Sequence, residues 1–350
     1  MANDLYVGTA GMSVWFSKDD GQTWARPYTE SGLYLEARVW SMAASPIAPD
    51  RVYAGTDFGL QRWDPEASRW EHLPSPLDGL ETWALEVSPH DPLVMLAGTH
   101  PAGLFRSEDG GRTWSERPCE FVDQCTFVGK PRITQIRFDP RDRNLVWAGV
   151  EVDGIRRSAD GGRTWEKCPS KGLVSDDIHG LGIEYVGDQR KLFAATNKGI
   201  HHSTDDGDHW TLTPLRSEWQ YTRVVVPRAD HDGTIFLTNG DGPPGSTGKL
   251  LRSRDYGTTW SDAGLPGELN STPWCIATHP ADPRLLFVAT NLGQLFRSRD
   301  GGETWVRLKR EFGEIRSVMW LPAAGGATGF TDAFKQTLGL HEQKIFAAKA

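Results

Sequence analysis

The sequence lacks the features that mark membrane-spanning, exported and nucleic-acid-binding proteins. No apolar run approaches the length of a membrane span, and the first nine residues contain no basic region followed by an apolar stretch. The net charge of −8, without any compensating basic run, argues against the phosphate backbone of a nucleic acid as a partner. The sequence therefore predicts a cytoplasmic protein with no membrane span and no nucleic-acid partner.

Cysteine is also scarce, with four residues at positions 119, 125, 168 and 275. No pair of them has CxxC or metal-site spacing. Cys119 and Cys125 are close enough in sequence to meet within one loop, but free thiols in a reducing compartment are the favoured interpretation. GxSxG and HExxH segments are absent as well. The spacing of these residues thus identifies no particular cofactor, and it leaves open both whether a cofactor binds and whether a metal binds.

Glycine (38), proline (22) and tryptophan (15) are abundant, which favours short strands joined by many turns. The pattern Ser-x-Asp-x-Gly-x-Thr-Trp, here called the octapeptide motif, occurs six times, once with His in place of Thr. The six copies occupy residues 17–24, 107–114, 158–165, 203–210, 253–260 and 298–305. A degenerate seventh copy lies at 63–70, and successive closing tryptophans are 44 to 51 residues apart. Such a period with strand-like content predicts propeller blades.

These motifs resemble the Asp-box (BNR) repeat family over nearly the whole chain. That family includes sialidases, xyloglucan-active glycoside hydrolases, the sortilin ectodomain and photosystem II assembly factors. The resemblance implies a β-propeller and is poor evidence for any one activity, because all of these functions share the motif. The residue types themselves indicate a structural turn, in which Ser and Asp bind backbone N–H groups and Trp is buried between sheets.

The strand order around each motif predicts an all-β fold, a seven-bladed β-propeller of four-stranded antiparallel blades. Residues 5–9, 14–16 and 23–26 would supply three strands of one blade. Residues 315–321 would supply its fourth, closing the ring three-plus-one and removing open edges. We assign 1–322 to the propeller and 323–350 to a tail. In that tail 331–338 is expected to be a short helix, and 344–348 to add an edge strand or displace the N-terminal one.

Blade topology places the loops between the second and third strands, and those between blades, around one mouth of the central channel. Polar residues converge there. As catalytic candidates we predict Asp57, His100 and Glu151, which follow the second strands of three consecutive blades. As ligand-binding candidates we predict Arg38, Trp83, Arg132, His179, Arg223 and Arg316. The alternative is structural: loop ends are polar anyway, Arg–Glu pairs join blades, and tryptophans pack between them.

Three functions fit these residues. The first is binding of a polar, anionic or carbohydrate-like small molecule, with arginines donating to carboxylate or phosphate. The second is a hydrolase or lyase in which one of two close carboxyl groups has a raised pKa, while His100 acts as a base or joins the carboxylates around a metal. The third is an assembly scaffold that binds a protein on the loop-rich face, as the resemblance to photosystem II assembly factors implies.

Overall fold

The computed structural model describes residues 3–26, 32–45, 48–64, 67, 69–126 and 128–323. Within these ranges the chain forms only strands, turns and loops, so none of the described segments is a helix able to cross a membrane. In chain order the strands are β1 Asn3–Thr9, β2 Val14–Ser17, β3 Val39–Ser45, β4 Ala48–Thr56, β5 Gly59–Asp64, β6 Arg69–Leu73, β7 Glu81–Val87, β8 Met95–His100, β9 Leu104–Ser107, β10 Ser115–Arg117, β11 Ile133–Phe138, β12 Val146–Val150, β13 Gly154–Ser158, β14 Glu166–Lys167, β15 Ile178–Val186, β16 Gln189–Thr196, β17 Gly199–Ser203, β18 Thr211–Thr213, β19 Tyr221–Pro227, β20 Ile235–Gly240, β21 Gly248–Ser253, β22 Ser261–Asp262, β23 Pro273–Ala277, β24 Leu286–Thr290, β25 Leu295–Ser298, β26 Val306–Arg307 and β27 Ile315–Pro322.

The strands form seven antiparallel sheets, each one blade of a β-propeller. Blades 1 to 6 are β3–β6, β7–β10, β11–β14, β15–β18, β19–β22 and β23–β26, each in simple up-and-down order. The first strand of each blade is innermost and contacts the first strand of the next blade. The predicted fold class is confirmed.

Blade 7 closes the ring from both ends of the chain. Strand β27 pairs with β1, and β1 pairs with β2. The fourth strand expected at 23–26 is reduced to one bridge between Phe16 and Ala25. Strand β27 also contacts β3 of blade 1, so the closure predicted from 315–321 is present. The helix and strand expected at 331–338 and 344–348 lie outside the described residues.

The hydrophobic core consists of one cluster of buried side chains between each pair of neighbouring blades. The interface of blades 2 and 3, for example, joins Leu96 and Leu104 to Ile136 and Val146, all at most 1% exposed. Corresponding clusters fill the other six interfaces. Burying this apolar surface between sheets is the main favourable contribution to folding.

The octapeptide motif forms the same turn in each of its six regular copies. In the copy at 158–165, the Ser158 hydroxyl donates to Asp160 Oδ1 and accepts from the Gly162 N–H at 2.8 Å. Asp160 also accepts the N–H groups of Arg163 and Thr164 at 2.9 Å and the Thr164 hydroxyl at 2.6 Å. Although partial burial acts to raise the pKa of Asp160, these hydrogen bonds hold it at about 2. The motif aspartates are thus fully occupied as turn acceptors.

Each regular motif also ties its blade to the preceding one. A carbonyl oxygen in the middle of the turn accepts a hydrogen bond from a side chain of the neighbouring blade. These donor–acceptor pairs are Tyr53 to Gly110, Arg106 to Gly161, Trp147 to Asp206, Lys191 to Tyr256, Arg252 to Gly302 and Arg297 to Asp20. The motif face therefore repeats both its local turn and its contact between blades.

Candidate functional site

A β-bulge near the start of every innermost strand shapes the opposite end of the channel, called here the mouth. In each blade the pairing of the first and second strands shifts register near the start of the first strand. A bulge bends the strand and re-aims a side chain. The side chains at the shifts, called here the bulge ring, are Trp40, Trp83, Thr134, His179, Arg223, Trp274 and Arg316.

Glycine in the second strand lets the blades approach closely enough to form this ring. A Cβ added to Gly98 would lie 2.3 Å from Ile133 Cγ2 of the next blade, and one added to Gly149 would lie 2.7 Å from Ile178 Cγ2. Ile133 and Ile178 are the first residues of their innermost strands, directly before the bulge residues. The Ala-Gly sequence of these strands is therefore explained by contact between blades.

All seven bulge-ring side chains line one cavity of about 190 Å³. Glu86 and Arg137 lie among its other lining residues and form an ion pair at 3.0 Å. Arg223, Arg316 and His179 add cationic or ionisable groups without a matching number of lining carboxylates. The cavity thus has an excess of positive charge.

Arg316 lies inside a cage of three tryptophans. Its guanidinium carbon is 5.3 Å from the ring centroids of Trp40, Trp83 and Trp274. Trp40 and Trp83 stack with centroids 4.5 Å apart and ring planes 15° apart. Burial lowers the pKa of Arg316 to about 10, against the opposing effect of the Glu314 carboxylate with which it forms an ion pair. The residue remains a cation at neutral pH.

Two further arginines pack on the ring faces of Trp83 and Trp274. The guanidinium carbon of Arg132 is 4.0 Å from the Trp83 centroid, and that of Arg223 is 4.2 Å from the Trp274 centroid. Arg132 also donates to Glu151 Oε1 at 2.8 Å. Arg223 is 7% exposed, and in the described part of the chain no carboxylate forms an ion pair with it. Arg223 is therefore a buried cation whose charge is left without a direct anionic partner.

An acid–base cluster borders the cavity. His179 Nε2 is 3.1 Å from Asp177 Oδ2, and His179 Nδ1 is 2.8 Å from the carbonyl oxygen of Thr222. Burial acts to raise the pKa of Asp177, but the hydrogen bond and charge of His179, with the charges of Arg223 and Arg132, hold it below its usual value. Ligand atoms of Glu151, Asp177 and His179 all lie within 4.8 Å of one another. Among the described residues this is the group suited to hold a metal ion.

The structure does not bring the three catalytic candidates together. Asp57 accepts the N–H of Arg38 at 3.1 Å, His100 Nδ1 is 2.9 Å from Glu81 Oε2, and Glu151 pairs with Arg132. None of the three lines the cavity, because each is held by a partner of its own at the rim. Their catalytic role stays a prediction.

The ligand-binding candidates divide into two sets. Trp83, His179, Arg223 and Arg316 belong to the bulge ring, and Arg132 packs on it. Arg38 is exposed at the rim, outside the cavity lining. Sequence reasoning missed Thr134 as a site residue. A signal for Thr134 was available: like Trp83 and Arg316, it lies six residues before the proline that ends or follows its strand.

Comparison with known proteins supports the propeller fold and shows similarity to proteins of more than one functional class. No protein-family model matches the chain. A xyloglucanase from a Paenibacillus species is 28% identical over 310 residues, covering 74% of this chain and 30% of that protein. The chain thus spans less than a third of that relative's length.

Two solved structures show the same fold at low sequence identity. A GH74 enzyme from Niastella koreensis superposes with a TM-score of 0.61 at 21% identity, covering 77% of this chain and 45% of that one. YCF48 bound to D1 peptide superposes with a TM-score of 0.52 at 15% identity, covering 77% of this chain and 81% of that one. The chain is therefore a seven-bladed propeller similar to xyloglucanase and YCF48 propellers.

Proposed function

We propose that this protein is a binding protein that takes an anionic group of its ligand, a carboxylate by preference, into the bulge-ring cavity. The observation that carries the proposal is Arg223, a buried guanidinium with no ion pair among the described residues. Its π-contact with Trp274 contributes about 0.5–2 kcal/mol. The penalty for burying an unpaired ion is several kcal/mol. A bound anion would reduce this penalty, because it would give the Arg223 guanidinium an ionic partner.

Crowding of like charge supports the same conclusion. The charges of Arg223 and Arg132 both act to lower the pKa of Arg316, and burial does so more strongly. A carboxylate between Arg223 and Arg316 would accept charge-assisted hydrogen bonds from both. The cation excess of the cavity is therefore suited to an anion rather than to a neutral group.

The tryptophans favour an anion over a sugar ring. Trp40, Trp83 and Trp274 are only 7–9% exposed. Trp83 is stacked on Trp40 and covered by Arg132, and Trp274 is covered by Arg223. A sugar platform requires an open aromatic face, which these rings do not present.

A polypeptide is the source of the carboxylate that fits best. The cavity of about 190 Å³ accommodates an acidic side chain or a chain end, and the rest of the ligand would lie on the rim. Tyr34 and Phe58, 67% and 52% exposed, form an aromatic pair there with centroids 5.5 Å apart. The similarity in size and fold to YCF48, solved with a bound peptide, supports this choice.

Peptide titration followed by tryptophan fluorescence would test the proposal. Peptides from a random library would be offered with free and with amidated C-termini, beside inorganic phosphate. We expect free carboxylates to bind and Arg223→Gln to weaken binding at least tenfold, because a hydrogen bond to a charged group contributes about 1.5–3 kcal/mol. Arg310→Gln is the matched control, since Arg310 stacks at 3.8 Å on Trp15, outside the cavity. Equal binding of amidated peptides that lack Asp and Glu, or equal loss in both variants, would refute the proposal.

Glycoside hydrolysis is the second candidate, favoured by the similarity to the Paenibacillus xyloglucanase and by the proximity of the Glu151 and Asp177 carboxylates. Such chemistry requires one carboxyl group to remain protonated as the acid. Here Asp177 has a lowered pKa, which disfavours it as the acid, and Glu151 is held in an ion pair by Arg132. Release of reducing sugar from xyloglucan oligosaccharides, abolished in Glu151→Gln, would establish the hydrolase instead.

A further inference from the structure

We propose that Glu151, Asp177 and His179 form a binding site for one divalent cation of the Zn²⁺ type at the border of the cavity. The three side chains come from two adjacent blades. Glu151 follows β12, Asp177 directly precedes β15, and His179 is the bulge residue of β15. The site is independent of the proposed anion binding, because it rests on these three residues and not on Arg223.

The distances suit a single small ion. Zn–N and Zn–O bonds are about 2.0–2.2 Å long, so two ligand atoms 3.1 Å apart would subtend about 95–100° at the ion. His179 Nε2 and Asp177 Oδ2 have this separation. The third ligand atom, from Glu151, lies within 4.8 Å of both and needs only a side-chain adjustment to complete the set.

His179 is already oriented as a ligand. Its Nδ1 lies 2.8 Å from the carbonyl oxygen of Thr222, which can only accept a hydrogen bond. Nδ1 must therefore carry a proton, and Nε2 is the atom that points at Asp177. A backbone carbonyl bound to the second ring nitrogen is the arrangement that fixes the tautomer of histidines in metal sites. On metal binding, the proton that Nε2 shares with Asp177 would leave to solvent.

The Asp177 carboxylate has an oxygen atom that the described residues leave without a hydrogen bond. Asp177 Oδ1 is buried and accepts none, whereas both oxygens of Glu151 face nitrogens of Arg132. Buried carboxylate oxygens normally have a partner, so Asp177 Oδ1 indicates where an additional electropositive group fits. Imidazole with two carboxylates is a ligand set for Zn²⁺ or Mn²⁺ rather than Ca²⁺ or Mg²⁺.

Arg132 competes with a metal ion for Glu151. Removing Arg132 and removing a metal ligand should therefore change the metal affinity in opposite directions. It occupies Glu151 through two nitrogens and lies on the face of Trp83. A bound cation would take one oxygen of Glu151 and leave Arg132 on the other. Removing the guanidinium should therefore raise metal affinity, whereas removing a ligand should lower it.

Isothermal titration of the full chain with ZnCl₂ and MnCl₂ tests the site. We expect one ion per chain, at least tenfold weaker binding in Asp177→Asn and His179→Gln, and tighter binding in Arg132→Met. His72→Gln is the matched control: its ring forms a comparable pair, Nε2 to Asp78 Oδ1 at 2.9 Å, but no third potential metal ligand joins this pair in the part of the chain that the structure describes. X-ray absorption of the wild-type zinc complex should show one imidazole, which keeps the test valid if His179→Gln fails to fold.

Several outcomes would overturn the proposal. These are no binding at millimolar Zn²⁺ and Mn²⁺, binding unchanged in Asp177→Asn, an equal loss in His72→Gln, or a zinc spectrum without imidazole. If metal binds but Arg223→Gln changes nothing in peptide binding, the metal site stands and the proposed anion binding fails. If peptides bind but metal does not, the reverse holds.

Discussion

The two ends of the channel are built by opposite rules. At the motif face, six turns repeat one set of hydrogen bonds with nearly constant distances, as the copies at 107–114 and 158–165 show. At the mouth, one structural device, the bulge, recurs in all seven blades but holds Trp, Thr, His or Arg. The same residues repeat at the motif face, which indicates that this face stabilises the fold. Different residues occupy the repeated bulge at the mouth, which indicates that the mouth recognises a ligand.

The largest effect is expected from opening the ring itself, which both faces need. A chain ending at Gly313 loses β27, leaving β1 with one unpaired edge and removing Ile315, Val318 and Trp320 from a core cluster. We expect aggregation and loss of the cooperative thermal transition, because an exposed edge strand pairs with other chains. Gel filtration and differential scanning calorimetry would show this. A monomeric truncation with a sharp transition would mean that closure does not depend on β27.

A substitution at the motif face should lower stability and leave the mouth unaffected. Asp160→Ala removes the carboxylate that accepts four described hydrogen bonds within one turn. We expect the free energy of unfolding to fall by about 1–2 kcal/mol. Urea denaturation measures this, with Asp188→Ala, an exposed residue in a turn, as the control expected to change less than about 0.5 kcal/mol. Loss of peptide binding without loss of stability would reverse the roles of the two faces.

A substitution at the mouth should weaken ligand binding and leave the stability of the fold nearly unchanged. Arg223→Gln removes a buried charge that has no ion pair among the described residues. We expect the free energy of unfolding to stay within about 1 kcal/mol of the wild type or to rise, because losing the penalty for burying the ion offsets losing its π-contact with Trp274. Urea denaturation of Arg223→Gln and the wild type measures this difference in the free energy of unfolding. Destabilisation as large as that of Asp160→Ala would show that Arg223 supports the fold and would weaken the comparison.

Acid should weaken the motif face through its aspartates. Hydrogen bonds from Thr23 to Asp19, and from Thr304 to Asp300 despite partial burial, hold both pKa values at about 2. The unfolded-state pKa of Asp is about 3.9. A group with a depressed folded pKa stabilises the protein above its unfolded pKa, and this contribution is lost as pH falls towards 2. Melting temperatures between pH 5 and pH 2 should fall less steeply in Asp160→Asn, and an unchanged slope would contradict this assignment.

The smallest effect concerns the thiols. Burial raises the pKa of Cys168 and of Cys275 to about 12. Cys275 lines the cavity, whereas Cys168 lies in the core between blades 3 and 4. We expect neither to react with a disulfide reagent at pH 8 until the protein unfolds, and the partly buried Cys119 and Cys125 to react first. Peptide mapping after timed labelling would show the order, and early labelling of Cys275 would reveal an open mouth.

The sequence by itself determined the number of blades, the turn of each motif and the closure through blade 7. Ser158 and its partners lie within a few residues of one another, so their hydrogen bonds follow from local spacing. The sequence also predicts the position of the fourth strand of blade 7 at 23–26, which the structure reduces to a single bridge at Ala25.

The sequence placed Trp83, His179, Arg223 and Arg316 at the mouth, but only the tertiary structure decided which partner each side chain there contacts. Asp57, His100 and Glu151 were grouped because they occupy equivalent positions, yet each binds a different local partner. Asp177 and His179 come next to Glu151 because β12 and β15 belong to neighbouring blades and a register shift turns His179 inwards. Residues on separate blades come together through blade packing and bulge geometry, and the motif pattern, which describes one blade at a time, contains no information on either.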